Sequence, residues 1–217
     1  MVEATLDLTP LTLSAPPLSV LQQLRTATAI PHTRLEARLP LTRPELDHGT
    51  YTRIIQAYYG FHAPLQRLID GLPGFASDPE RQKLPALIKD LRALGLSGED
   101  IDQLPLCTDL PSIASQAQLL GVMYVMEGAT LGGQVLRRIV ADRLGIDADS
   151  GGEFLDVYGR DTGRLWKGFL SRLAGFDHPD THSQDTSSLG THSQVVDAAC
   201  ATFACFEQWL DRAGVLN

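Results

Sequence analysis

The stretch from Leu119 to Val140, LLGVMYVMEGATLGGQVLRRIV, has the length and apolar content of one long helix. Three glycines interrupt it: Gly128, Gly132 and Gly133. Each costs a helix interior about 1 kcal/mol relative to alanine. A sequence that keeps all three must gain something from a bare backbone. Gly128 and Gly132 are four apart and Gly133 adjoins, so the spacing predicts a face without side chains over more than one turn. Two uses are open. Another helix could pack closely there, or a planar ligand could lie on the backbone while the bare segment kinks and flexes. A phosphate loop is not supported: the Gly-x-x-x-x-Gly-Lys-Ser/Thr pattern is absent and the glycines sit mid-helix.

Outward from this stretch the helical period dominates. Tyr51, Ile54, Ile55, Tyr58, His62, Leu65 and Ile69 recur at helical spacing, as do Val196, Ala199, Cys200, Phe203, Phe206 and Leu210. Residues 81–94 and 162–174 predict shorter amphipathic helices. In DLPSIASQAQLL, Asp109 or Ser112 is expected to cap a helix, with Pro111 in its first turn. No run alternates as a strand would. The pattern predicts an all-α chain of about seven helices packed on one another. Residues 1–17 read as a flexible N-terminal arm ahead of one helical domain over 18–217. Residues 177–194, rich in Asp, Ser, Thr and His, read as an irregular loop that carries the tetrapeptide THSQ twice.

The chain has 217 residues and a net charge of −8. That length suits one domain, and the acidic balance argues against nucleic acid as a partner. Cys107, Cys200 and Cys205 make an odd count without a C-x-x-C, which predicts free thiols in a reducing cytosol. No apolar run marks a membrane span, the first residues lack a signal peptide's basic region, and no tail anchor follows the last helix. The expectation is a cytoplasmic protein with no membrane partner.

A second constellation lies near the start, in LRTATAIPHTRLEARL (24–39). His32 and Glu36 are four apart and share a helix face. Glu36 could accept a hydrogen bond from one ring nitrogen of His32, fixing the tautomer and strengthening the other nitrogen as a metal ligand. A surface ion pair gives the same spacing. His62, on the apolar face of its helix, is a rival ligand or a satisfied core histidine. His48 lies in a single Glu-x-x-His, where a di-iron bundle needs two and further carboxylates.

Together the two constellations resemble the heme oxygenase family. Leu24, Ala27, Thr28, His32, Thr33 and Glu36 match the proximal-helix pattern Leu-x-x-Ala-Thr-x-x-x-His-Thr-x-x-Glu. Gly128, Gly132, Gly133 and Gln134 fill the distal Gly-x-x-x-Gly-Gly-Gln core. YYGFHAPLQ (58–66) is similar to the segment after the second long helix of bacterial members. The likeness runs from about residue 18 to 213 and is closest to the bacterial subgroup that supplies biliverdin to bacteriophytochromes.

The resemblance implies a single-domain helical bundle with heme b between proximal and distal helices, heme being both cofactor and substrate. His32 would ligate the iron, supported by Glu36. Gly128, Gly132 and Gly133 would let the distal helix approach the ring and bend over bound O2. The reaction would open heme at a meso carbon to biliverdin, carbon monoxide and ferrous iron. Its electrons would come from a ferredoxin or a flavin reductase, and a bacteriophytochrome could accept the product. Arg25, two turns before His32, with Arg164 and Lys167, would meet the heme propionates, and Phe206 would line the pocket. One departure stands out. Ala129 occupies the position where the family carries an aspartate that orders distal waters, which leaves Thr130 as a hydrogen-bond donor. The rival reading is a heme-binding or heme-sensing protein that does not cleave the ring. A thiaminase-like enzyme is a further rival, but Cys200 and Cys205 fall in an apolar helix and read as structural.

Overall fold

The computed structural model describes residues 18–72, 78–177 and 188–217. Among the described residues seven α-helices carry the fold: α1 (Val20–Arg38), α2 (His48–Asp70), α3 (Leu84–Ala93), α4 (Gly98–Asp102), α5 (Gln116–Leu144), α6 (Thr162–Ala174) and α7 (Ser188–Arg212). Short 3-10 turns and one π turn, at Ala148–Gly152, fill the connections. Among the described residues no strand occurs.

Several helices start at a side-chain cap. Ser19 caps α1 through a reciprocal box with Gln22, and Asp47 caps α2 by accepting from the Thr50 backbone N–H. The α5 cap differs from expectation. It is Ser115, accepting from the Gln118 N–H, not Asp109 or Ser112. Ile113 is buried in a satellite cluster with Phe61, Leu65, Cys107, Leu119 and Val122. Inserting Ile113 there keeps the chain from turning helical until Gln116. At its other end α5 stops on Gly145, whose φ of 68° closes the left-handed cap.

The helices assemble around α7. It packs most extensively on α5 and then on α1, while α2 packs on α3 and α7. The crossing of α5 and α7 explains Gly121: a methyl group there would overlap the Val195 carbonyl and crowd Ala198. The main core includes Tyr51, Ile54, Ile55, Leu24, Leu87, Leu91, Phe169 and Leu210, all fully or almost fully buried. Each such side chain contributes about 1.5–3 kcal/mol of transfer free energy. By length and composition α5 could span a membrane, but here it is the central helix, packed on α6 and α7.

The segment read as an irregular loop over 177–194 is helical from Ser188 onward. In the second THSQ copy, His192 is buried, with Gln23 Nε2 3.1 Å from Nδ1 and the Phe176 carbonyl 3.1 Å from Nε2. Those contacts dock the first turns of α7 on α1. The first THSQ copy and residues 1–17 lie outside the described residues. The three cysteines are free thiols, Cys107 buried and the other two partly so.

Candidate functional site

Two helices present the predicted constellations. On α1, His32 is half exposed, at 55%, and its Nδ1 lies 3.4 Å from Glu36 Oε2. That distance is at the outer edge of hydrogen bonding and turns Nδ1 toward Glu36. The imidazole meets the edge of Phe203 on α7, centroids 5.9 Å apart. Below it, Arg34 Nε forks onto both Glu207 oxygens at 3.0 and 2.9 Å, and Arg38 Nη1 reaches the same carboxylate at 2.9 Å. These ion pairs hold α1 against α7 on either side of Glu36. The paired guanidinium groups also hold Glu207 below the usual carboxylate range, although its desolvation pulls the other way.

On α5 the three glycines separate into two roles. A methyl group on Gly133 would overlap the Leu155 backbone carbonyl, so this residue serves close packing. Gly133 is buried against the Leu155 backbone. Gly132 is exposed, and no protein atom lies within 4 Å of where its methyl would stand. At Gly128 the nearest group is the Trp166 indole of α6, at 3.9 Å, an ordinary van der Waals distance. Neither Gly128 nor Gly132 is required by packing within the protein. Leu131 and Val135 stand beside them, 45% and 58% exposed, and on α1 Ile30 is 77% exposed.

The other expected residues divide similarly. Ala129 is exposed. The Thr130 hydroxyl donates to the Glu127 carbonyl at 2.7 Å. Its proton is thus committed, and Thr130 is left as an acceptor rather than the expected donor. Arg25 and Lys167 are exposed, with no carboxylate partner among the described residues. Arg164 instead pairs with Glu80 and Asp161 and is the weakest of the three as a propionate partner. Phe206 packs between Phe61 and Tyr58, at 4.7 and 5.5 Å, and belongs to the core. Phe203, three residues earlier, is the aromatic that meets His32. The same helical register carries both residues, so the sequence contained the signal but not the choice.

Sequence reading also missed a buried charged cluster. Glu127, directly before Gly128, is 3% exposed. Its Oε1 accepts from Lys83 Nζ at 2.6 Å and from the Tyr158 hydroxyl at 3.0 Å, and its Oε2 accepts from Arg81. Burial lowers the Lys83 ammonium pKa and raises that of the Tyr158 phenol. A cavity beside the cluster is lined by His62, Met123, Met126, Lys83, Glu127 and Arg172. The His62 ring meets Phe154 at 5.0 Å and Phe61 at 6.2 Å. Burial, with the nearby Lys83 charge, pushes its pKa down to about 3. It is a neutral histidine in that chamber. Among the described residues no cluster of His, Cys, Asp or Glu could hold a metal ion by itself.

The class defined is an all-α helical bundle, with an exposed histidine on α1 and a glycine face free of packing contacts on α5. The sequence model of the heme oxygenase family matches residues 18–212, and the chain belongs to that family. A heme oxygenase from Xanthomonas campestris pv. campestris is 32% identical over 107 residues. That match spans 48% of this chain and 60% of the relative's length. Two solved structures share the fold. Heme oxygenase-1 of the cyanobacterium Synechocystis, in complex with heme, aligns over 90% of this chain and 92% of its own. The TM-score is 0.66 at 17% identity. Heme oxygenase of Leptospira interrogans aligns over 88% and 100%, with a TM-score of 0.59 at 19% identity.

Proposed function

We propose that this chain is a cytoplasmic heme oxygenase, opening heme at a meso carbon to biliverdin, carbon monoxide and ferrous iron. One observation carries the reading. The backbone is bare at Gly128 and Gly132 although no neighbouring protein group requires it. Two glycines that cost helix stability without serving packing point to a ligand that approaches the main chain.

Heme supplies the iron at which O2 is activated, and the electrons come from a ferredoxin or a flavin reductase. The protein's part is binding and orientation. His32 would hold the iron through its imidazole, with Nδ1 turned toward Glu36. Phe203 limits rotation of the imidazole. Ile30, Leu131 and Val135 would offer apolar surface to the macrocycle, and Arg25 and Lys167 would meet its propionates. Thr130, its own proton donated to Glu127, accepts from a distal water and so orients it.

A heme-binding or heme-sensing protein without ring cleavage is the second reading. It is favoured by Ala129, which offers no carboxylate to the distal waters. Hemin titration followed by ascorbate, or a ferredoxin reducing system, in air separates the two. Stoichiometric binding and decay of the Soret band into a biliverdin spectrum is the expected result. A bound but persistent Soret band would establish the carrier or sensor. Absence of binding would overturn both. A bacteriophytochrome as acceptor of the biliverdin is tested by supplying its apoprotein and watching for chromophore assembly.

A further inference from the structure

The heme oxygenase reading does not use the charged cluster around Glu127, and packing alone does not account for it. Burying ions costs several kcal/mol per charge, and apolar residues of similar volume often hold a fold as well or better. The connections of Arg81 suggest what the cluster does. Its Nη1 donates to Glu127, its Nε to Asp78 at 3.1 Å, and its Nη2 to the Leu165 backbone carbonyl at 3.0 Å. Glu127 directly precedes Gly128, and Leu165 directly precedes Trp166. The Trp166 indole is the group nearest the bare backbone of Gly128. One guanidinium therefore ties down both walls of the Gly128–Trp166 gap. Lys83 and Tyr158 fix the carboxylate from the other side, Lys83 also donating to the Tyr158 oxygen at 2.7 Å.

We propose that Glu127 and Arg81 are positioning residues: their buried ion pair sets the distance between α5 at Gly128 and the Trp166 indole on α6. Through that distance it sets the width of the space between α6 and the glycine face of α5. The claim about width rests on the fold. Its consequence for heme rests on the reading above. A wider or narrower gap would change how closely α5 approaches a bound heme.

The chain has two tryptophans, Trp166 and Trp209, so Trp209→Phe leaves Trp166 as the sole indole reporter. In that background we would compare Glu127→Gln with the triple variant Arg81→Leu, Lys83→Met, Glu127→Leu. Acrylamide quenching of Trp166 is read in the ligand-free protein. Hemin affinity and the pH midpoint of the ferric spectral transition are read in the complex. Expected are altered quenching, about tenfold weaker hemin binding and a shifted midpoint in both variants. The triple variant should do so while matching the parent's melting temperature, which separates position from stability. If Glu127→Gln does not fold, the triple variant carries the test. Parental quenching in the folded variants would overturn the proposal. Altered quenching with an unchanged hemin midpoint would overturn its consequence for the site. If the parent itself binds no hemin, the functional reading fails, while quenching still decides whether the pair sets the gap.

Discussion

Gly132 and Gly133 are neighbours with opposite surroundings: a methyl on Gly133 runs into the Leu155 carbonyl, and a methyl on Gly132 meets no protein atom within 4 Å. Alanine is the better helix former by about 1 kcal/mol. Gly132→Ala should therefore raise the stability of the ligand-free protein by about that amount while weakening hemin binding and turnover. Gly133→Ala should lower stability, since backbone must move. Urea denaturation with an unchanged m-value, alongside hemin titration, checks both signs. A Gly132→Ala variant with normal hemin binding would remove the observation on which the functional reading stands.

His32→Ala should abolish biliverdin formation and change the ferric hemin spectrum, with little loss of stability because the side chain is half exposed. Glu36→Gln should leave binding intact and alter the spectrum less, since it changes the partner of Nδ1 rather than the ligand. Full turnover and an unchanged spectrum in His32→Ala would redirect attention to His62.

Lys167→Ala and Arg25→Ala should weaken hemin binding and reduce its salt dependence. Arg164→Ala should matter less, because that guanidinium is already held by Glu80 and Asp161. Titrations at low and high salt test the order of the three.

Glu207→Gln should loosen α1 from α7, because Arg34 and Arg38 both lose their shared carboxylate charge. Arg34 is more than half exposed, so solvent screening limits the loss to about 1–2 kcal/mol. Thermal and urea unfolding would measure it. The ferric hemin spectrum would report whether His32 shifts with its helix.

His62 should make the fold acid-sensitive. Its pKa falls to about 3 in the folded protein, against about 6.5 for a free histidine. Between those values the unfolded chain binds more protons, so stability declines as the pH falls through the window. His62→Gln should lose that part of the slope. Asp90 works in the opposite sense. Burial pushes its pKa up to about 6, although the Glu153 and Phe154 N–H groups oppose the shift. Its contribution declines as the pH rises toward 6, and Asp90→Asn should remove it. Melting temperatures from pH 4 to 7 for the three proteins would show diverging curves, and parallel curves would refute both assignments.

The sequence alone determined the helical class, the bounds of α6, the bodies of α2 and α5, and the shared helix face of His32 and Glu36. All of these rest on spacing within one helix, where a period of 3.6 residues leaves little freedom. It also marked Gly128 and Gly132 as unusual, because a glycine's cost in a helix is local. Tertiary structure decided the rest. Whether a glycine faces a carbonyl or open space depends on what packs opposite, and that separated Gly133 from Gly132. Register along α7 placed both Phe203 and Phe206 on apolar positions, and only the crossing with α1 selected Phe203. The burial of Glu127 was illegible because its partners Arg81, Lys83 and Tyr158 lie 31 to 46 residues away along the chain. No local pattern records a charge balance closed over that separation. The α5 cap moved to Ser115 for the same reason, since the distant cluster that buries Ile113 outweighs the local preference at Asp109 or Ser112.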